Sequence, residues 1–260
     1  MIPNKWGRTS LKGVYSKMVS CIKQTGPTCG IYALLNGIYT INPINPTKKK
    51  TDEIVYHILT ENVMREDTDN KQRKTFVGEF FDFDIFKEFV LNNVSFINKK
   101  INCDSITYSV EIKDIMYLED QDLIQSIQNH KAFVLFSIPG IYFSPKKHMA
   151  SHWITISDYD IKKLKYIVSD SRYKKARKYS LKGLKKRNER LRGATFFWRL
   201  YKYISFLPKK RNTIKHLIRS QVRKKQDFLN KGMLKNEVKH TANKMIVIQK
   251  LYTSTTPAAI

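Results

Sequence analysis

Four residues of this sequence have the types and the order that thiol-based acyl chemistry requires: Gln24, Cys29, His152 and Asp170. Cys29 lies in Gln24-Thr25-Gly26-Pro27-Thr28-Cys29-Gly30, directly before the apolar run Ile31 to Ile38. Gly26 and Pro27 suit a tight turn, and Ala33, Leu34, Leu35 and Ile38 recur at helical spacing. Cys29 is therefore expected in the first turn of a buried helix. There the positive end of the helix dipole favours thiolate over thiol. The first N–H groups of a helix have no intrahelical partner, so the Cys29 backbone could donate to an oxyanion, with Gln24 as second donor.

A cysteine nucleophile needs a base, and the base needs a group that fixes its tautomer. His152 opens the strand-like run His152-Trp153-Ile154-Thr155-Ile156-Ser157, after the loop 145–151. His148, inside that loop, is the rival base. Asp170 ends the next strand-like run, so a hairpin turning near 159–163 brings it to almost the same height as His152. An ionised Asp170 would accept from the ring and stabilise an imidazolium. Asp158 and Asp160 are the alternatives for that role. Cys21 and Cys103 lack the Gly-Pro and Gln context and read as structural thiols.

The elements that must position these residues fall into two textures. Helices are expected at 29–39, at 52–64 with Thr51 as N-cap, at 83–93 and at 119–130, with a polar loop at 65–74. Strands are expected at 106–112, 132–138, 152–157 and 164–168, all rich in branched and aromatic residues. Residues 1–23 read as an irregular lead-in or short strand. The pattern implies an α+β fold in which a helical lobe packs on an antiparallel sheet and leaves a cleft between them.

Composition sets the wider limits. The 260 residues are 42% hydrophobic and carry a formal net charge of +26, which fits a folded core with an anionic partner rather than a disordered chain. The excess is regional. Residues 174–239 hold 23 Lys and Arg against Glu189, Asp227 and Glu237. Within this stretch 180–191 and 213–229 have helical patterns, 196–206 is rich in aromatics, and 244–252 could return as a last strand. The segment is either a solvated extension or a surface for an acidic protein, nucleic acid or anionic lipid. The expected organisation is a catalytic core over 1–173, a basic segment over 174–243, and a last strand with a tail over 244–260.

Three cysteines at unrelated spacings support neither a disulfide framework nor a zinc site. With no signal peptide or membrane-length apolar run, a reducing, cytoplasmic setting is expected, an unusual secretion route being left open.

The order Gln24, Cys29, His152, Asp170 resembles that of the papain-like cysteine peptidases. The segment 24–34 looks most like the bacteriocin-leader-processing (double-glycine) peptidases and is also similar to the Gly-Pro-Thr-Cys-Gly run of actin-maturation-type proteases. Ser171 stands where the double-glycine group commonly has Pro. The resemblance implies a papain-like fold and a processing peptidase with Gln24 as oxyanion donor, Cys29 as nucleophile, His152 as general base and Asp170 as its orienter. No metal or organic cofactor is implied. Two other readings remain: an acyl or peptidyl transferase with the same triad, such as a transglutaminase-like or peptide-ligating enzyme, and a basic binding module without turnover.

Overall fold

The helix α1, Cys29–Ile41, contains no charged residue, and all 13 of its side chains are buried. A helix that is apolar all round must be covered on every side, and the rest of the chain supplies that cover. The computed structural model describes residues 19–26, 28–61, 80, 83–140, 151–192, 214–218 and 242–251. The helices α2 (Lys48–Glu61) and α3 (Phe83–Lys100) pack beside α1. Beneath them lies a six-stranded sheet of β1 (Thr107–Asp114), β2 (Ala132–Pro139), β3 (Ser151–Asp160), β4 (Lys165–Ser169), β5 (Arg177–Tyr179) and β6 (Lys244–Leu251). Its order is β1-β6-β2-β3-β4-β5, with every neighbouring pair antiparallel.

Both faces of the sheet are covered. Phe133, Leu135, Trp153, Ile246 and Ile248 join the layer of α1, α2 and α3. Val134, Phe136, Ile154, Ile156 and Val168 join a second layer with Ile127 of α4 (Gln121–Gln128) and Leu184 of α5 (Leu181–Glu189). All eight residues of β2 are buried, which accounts for its unbroken apolar run. The α+β class is as expected, whereas the cover on the second face was not anticipated. Gly37 lets α1 approach β2 closely, since a Cβ there would fall 2.2 Å from the Phe133 ring.

Several boundaries move. Thr51 is not the N-cap of α2: the helix begins at Lys48, the Thr47 hydroxyl accepts from Lys50 N at 3.2 Å, and Thr51 is buried within the first turns. The helix α3 does not stop at Asn93. Asn93 bonds back to Phe89 O at 2.8 Å, and the apolar face continues through Val94 and Ile97 to Lys100. The expected 119–130 helix is shorter, α4 covering Gln121–Gln128 with N-cap Asp120 accepting from Leu123 N, and a 3-10 turn, Ile115–Glu119, precedes it. The loop 65–74, the aromatic stretch 196–206 and most of 213–229 lie outside the described residues, 214–218 being helical.

The chain after residue 173 joins the same architecture. β5 extends the sheet beside β4, and α5 bonds to it through Asn188 Nδ2 and Ser137 O at 3.0 Å. β6 is inserted between β1 and β2. Residues 177–192 thus carry a strand and a helix bonded to the sheet, with most of their basic side chains exposed. Among the described residues, no helix is long and apolar enough to cross a membrane.

Candidate active site

Register decides whether the His152 and Asp170 strands can cooperate. Ile156 pairs with Val168, but the next pair toward the turn is Asp158 with Ile167, so Ser157 is an extra residue bulged out of β3. Inside the bulge Ser169 pairs with Thr155, and Asp170 comes level with Ile154, on the same side of the ladder as His152 and two residues from it. Without the bulge Asp170 would come level with Thr155, and alternation would turn it to the opposite face. The matched heights expected from the sequence therefore become a diagonal contact, and one inserted residue sets its sense.

The contact is direct. His152 Nε2 and Asp170 Oδ1 are 2.8 Å apart, with His152 5% exposed and Asp170 0%. Arg172 completes the cluster. Its backbone N reaches Asp170 Oδ1 at 3.0 Å, its Nε lies 3.0 Å from Oδ1 and 3.2 Å from Oδ2, and its Nη2 lies 2.6 Å from Oδ2. Burial alone would raise the Asp170 carboxyl, but the bonds from His152 and Arg172 outweigh it and hold the group well below the usual carboxylate range. Burial pushes the His152 imidazole below its ordinary value; Asp170 opposes this and Arg172 adds to it. An ionised Asp170 accepts the proton of Nε2, which leaves Nδ1 as the basic nitrogen.

The lead-in ties this pair to α1. The Ser20 and Ile22 backbone N–H groups donate to Thr40 Oγ1 and Asn36 Oδ1, so residues 20–24 run antiparallel to the helix. On the other side the Ser169 hydroxyl donates to Ser20 O, and Gln24 N donates to Ser171 O at 2.7 Å. Both segments therefore advance toward the N-terminal end of α1. The Thr155 hydroxyl donates to Ala33 O. Cys29 lies one turn before Ala33 and His152 three residues before Thr155, so the two lie toward the same end of the helix and sheet, with His152 on the strand face that alternates with that of Thr155. Trp153 pins this strand end to the helical layer, its Nε1 donating to Phe80 O and its ring lying 4.6 Å from that of Phe86.

Cys29 is 3% exposed and begins α1, and the Thr28 side chain does not cap the helix. The Thr28 hydroxyl instead donates to Thr25 O at 2.9 Å and tightens the preceding turn. Gly26, at φ +73°, makes the left-handed bend there, and a Cβ on it would fall 2.6 Å from Ile218. Gln24 is held at both ends of its amide: Nε2 donates to Gly26 O at 2.7 Å, and Oε1 accepts from the Ser171 hydroxyl at 2.6 Å. A second network anchors the same turn. Lys48 Nζ donates to Thr25 Oγ1 at 2.6 Å, and both Lys48 and the Tyr32 hydroxyl bond Asp52.

The alternatives separate from this cluster. Asp160 sits at the hairpin turn and pairs with Lys178 at 2.6 Å. Asp158 flanks the bulge, accepts from Tyr159 N and is raised by burial. His148 lies outside the described residues. Burial pushes Cys21 up to about 11 and also raises Cys103, and none of the three cysteines forms a disulfide. Among the described residues no cluster of His, Cys, Asp and Glu could hold a metal ion.

Sequence reasoning missed Arg172, Ser171, the Lys48-Asp52-Tyr32 support and the bulge. Arg172 is hidden in the sequence because it opens a basic run in which nothing sets it apart. No family model matches the chain, and no curated protein matches it by sequence.

Proposed function

We propose that the chain is a papain-like cysteine peptidase with Cys29 as nucleophile, His152 as general base, Asp170 as the residue that orients His152, and Gln24 as oxyanion donor. The observation that carries the reading is the buried 2.8 Å bond from His152 to Asp170 at the end of the sheet that matches the start of α1. With Nε2 held by Asp170, Nδ1 takes the Cys29 proton. The thiolate attacks a peptide carbonyl, and the tetrahedral oxyanion is met by the Gln24 amide and the first turn of α1. The imidazolium then protonates the leaving amine, and water activated by the same nitrogen hydrolyses the thioester.

The basic residues beyond Asp170 fit an acidic stretch of the substrate protein. Lys174, Lys175 and Lys178 line a cavity of about 640 Å³, and Arg177 stacks on the Tyr173 ring at 3.4 Å. The three cysteines, none in a disulfide, suit a reducing compartment such as the cytoplasm.

The test is mass spectrometry of the intact chain after brief, substoichiometric iodoacetamide at about pH 6, where an ordinary thiol is almost wholly protonated. Labelling confined to Cys29 and lost in His152→Ala is expected. Equal labelling of Cys21, Cys29 and Cys103, or none, overturns the reading.

A further inference from the structure

We propose that Arg172 is a positioning residue for the His152–Asp170 pair: its guanidinium fork fixes the buried carboxylate and cancels its charge, so that His152 rests as the neutral imidazole. The fork supplies every contact that Asp170 Oδ2 makes among the described residues, 2.6 Å from Nη2 and 3.2 Å from Nε. Without it only Oδ1 would be held, and the carboxylate could turn about its Cβ–Cγ bond. A guanidinium is always protonated and matches a carboxylate edge with two parallel donors, which a lysine cannot do.

Net charge gives the second half of the argument. With neutral His152, the Asp170–Arg172 pair makes the cluster neutral; protonating His152 places a net +1 where His152 and Asp170 are almost wholly buried. Remove the Arg172 charge and the order reverses: the neutral imidazole leaves −1, and the imidazolium gives zero. Other polar groups contribute less. Cys21 Sγ faces the Asp170 carbonyl from the lead-in at 3.8 Å, Tyr173 follows Arg172, the β2 partner of His152 is the apolar Ile138, and Cys29 comes from the start of α1. In the proposed mechanism the consequence is specific. Proton transfer from Cys29 to His152 leaves the net charge of the site unchanged, at zero with Arg172 and −1 without it, so Arg172 acts by lowering the proton affinity of the base and keeping it unprotonated before substrate arrives.

The importance of Arg172 to catalysis rests on the proposed triad, but the test does not use Cys29. NMR titration of the His152 ring in a Cys29→Ala chain, alone and combined with Arg172→Met, Arg172→Gln or Arg172→Lys, separates charge from packing. The neutral variants are expected to raise the proton affinity of His152 roughly tenfold, about one pH unit, while Arg172→Lys keeps it within about threefold of the parent. An unmoved or lowered titration in a folded neutral variant overturns the proposal, as does a Lys variant that moves as far as the neutral ones. Should neither neutral variant fold, Arg172→Lys decides: a titration moved more than about threefold from the parent overturns the proposal. Failure of Cys29 to alkylate in the wild-type chain would sink the peptidase reading and leave this result standing.

Discussion

Asp170→Asn tests the centre of the site because the amide keeps the shape of the carboxylate and changes only its hydrogen-bonding character. In the native chain the carboxylate accepts from His152 Nε2 on one side and from the Arg172 fork on the other. An amide has one oxygen. If the oxygen faces Arg172, the NH2 faces His152 Nε2 and drives the ring proton onto Nδ1, removing the base; if it faces His152, the NH2 meets the Arg172 donors. Breaking a fully buried ion pair costs about 3–5 kcal/mol, and the 22% exposure of the Arg172 side chain lowers the expectation to about 2–3 kcal/mol. With a urea m-value of about 3 kcal/mol/M, the midpoint should fall by roughly 0.8 M at pH 7. Because the folded carboxyl is held below the usual range, this contribution is complete above the unfolded pKa near 3.9 and is lost as pH falls toward the folded value. The gap between wild type and variant should therefore be equal at pH 7 and pH 5 and narrow at pH 3. A midpoint shift below about 0.2 M, or a gap that stays constant down to pH 3, refutes the reasoning.

Three further outcomes follow from the same geometry. Deleting Ser157 removes the bulge and turns Asp170 from the face of His152, so iodoacetamide labelling of Cys29 at pH 6 should fall at least tenfold while circular dichroism keeps the mixed helix and sheet; retained labelling would show that the diagonal contact is dispensable. Gly37→Ala places a methyl against the Phe133 ring and should destabilise by about 1–3 kcal/mol, read as a lowered urea midpoint, with an unchanged midpoint excluding the close approach. His152 is held neutral by burial, so below pH ~6.5 the unfolded chain binds a proton that the folded chain resists. Its share of the stability then falls by at most about 1.4 kcal/mol per pH unit until the folded pKa is reached. His152→Gln should flatten that slope between pH 6.5 and 5.5, and an unaltered slope would mean that His152 is not the group responsible.

The strongly patterned parts of this molecule were legible in its sequence. The apolar run after Cys29 reads as a buried helix and Ala132 to Ile138 as a strand, although the burial of that strand on both faces was not foreseen. The order of Gln24, Cys29, His152 and Asp170 was legible too, and so was the hairpin that joins the last two. What stayed hidden depends on contacts distant in sequence. Thr51 looked like a cap because it precedes Asp52 and Glu53, yet Thr47 has the free geometry and Thr51 faces the core. Asn93 looked like a stop, but its amide bonds back to Phe89 and the helix carries on. The bulge at Ser157 leaves no local mark, since serine suits a regular strand as well as an irregular one. Arg172 is set apart from Lys174, Lys175 and Arg177 only by a buried carboxylate two residues away.

The placement of β6 bears on how the molecule comes into being during translation. Among the described residues the only sheet neighbour of β1 is β6, and β6 also covers the flank of β2. Residues 107–114 must therefore wait, unpaired, until residues 244–251 have left the ribosome, and the sheet that carries His152 stays open on one side through the whole synthesis of the basic stretch. Pairings so distant in sequence make folding slow. A nascent chain of this design would acquire its finished sheet only once residues 244–251 had been made, so that the strand bearing His152 gains its full support after the basic stretch has been synthesised.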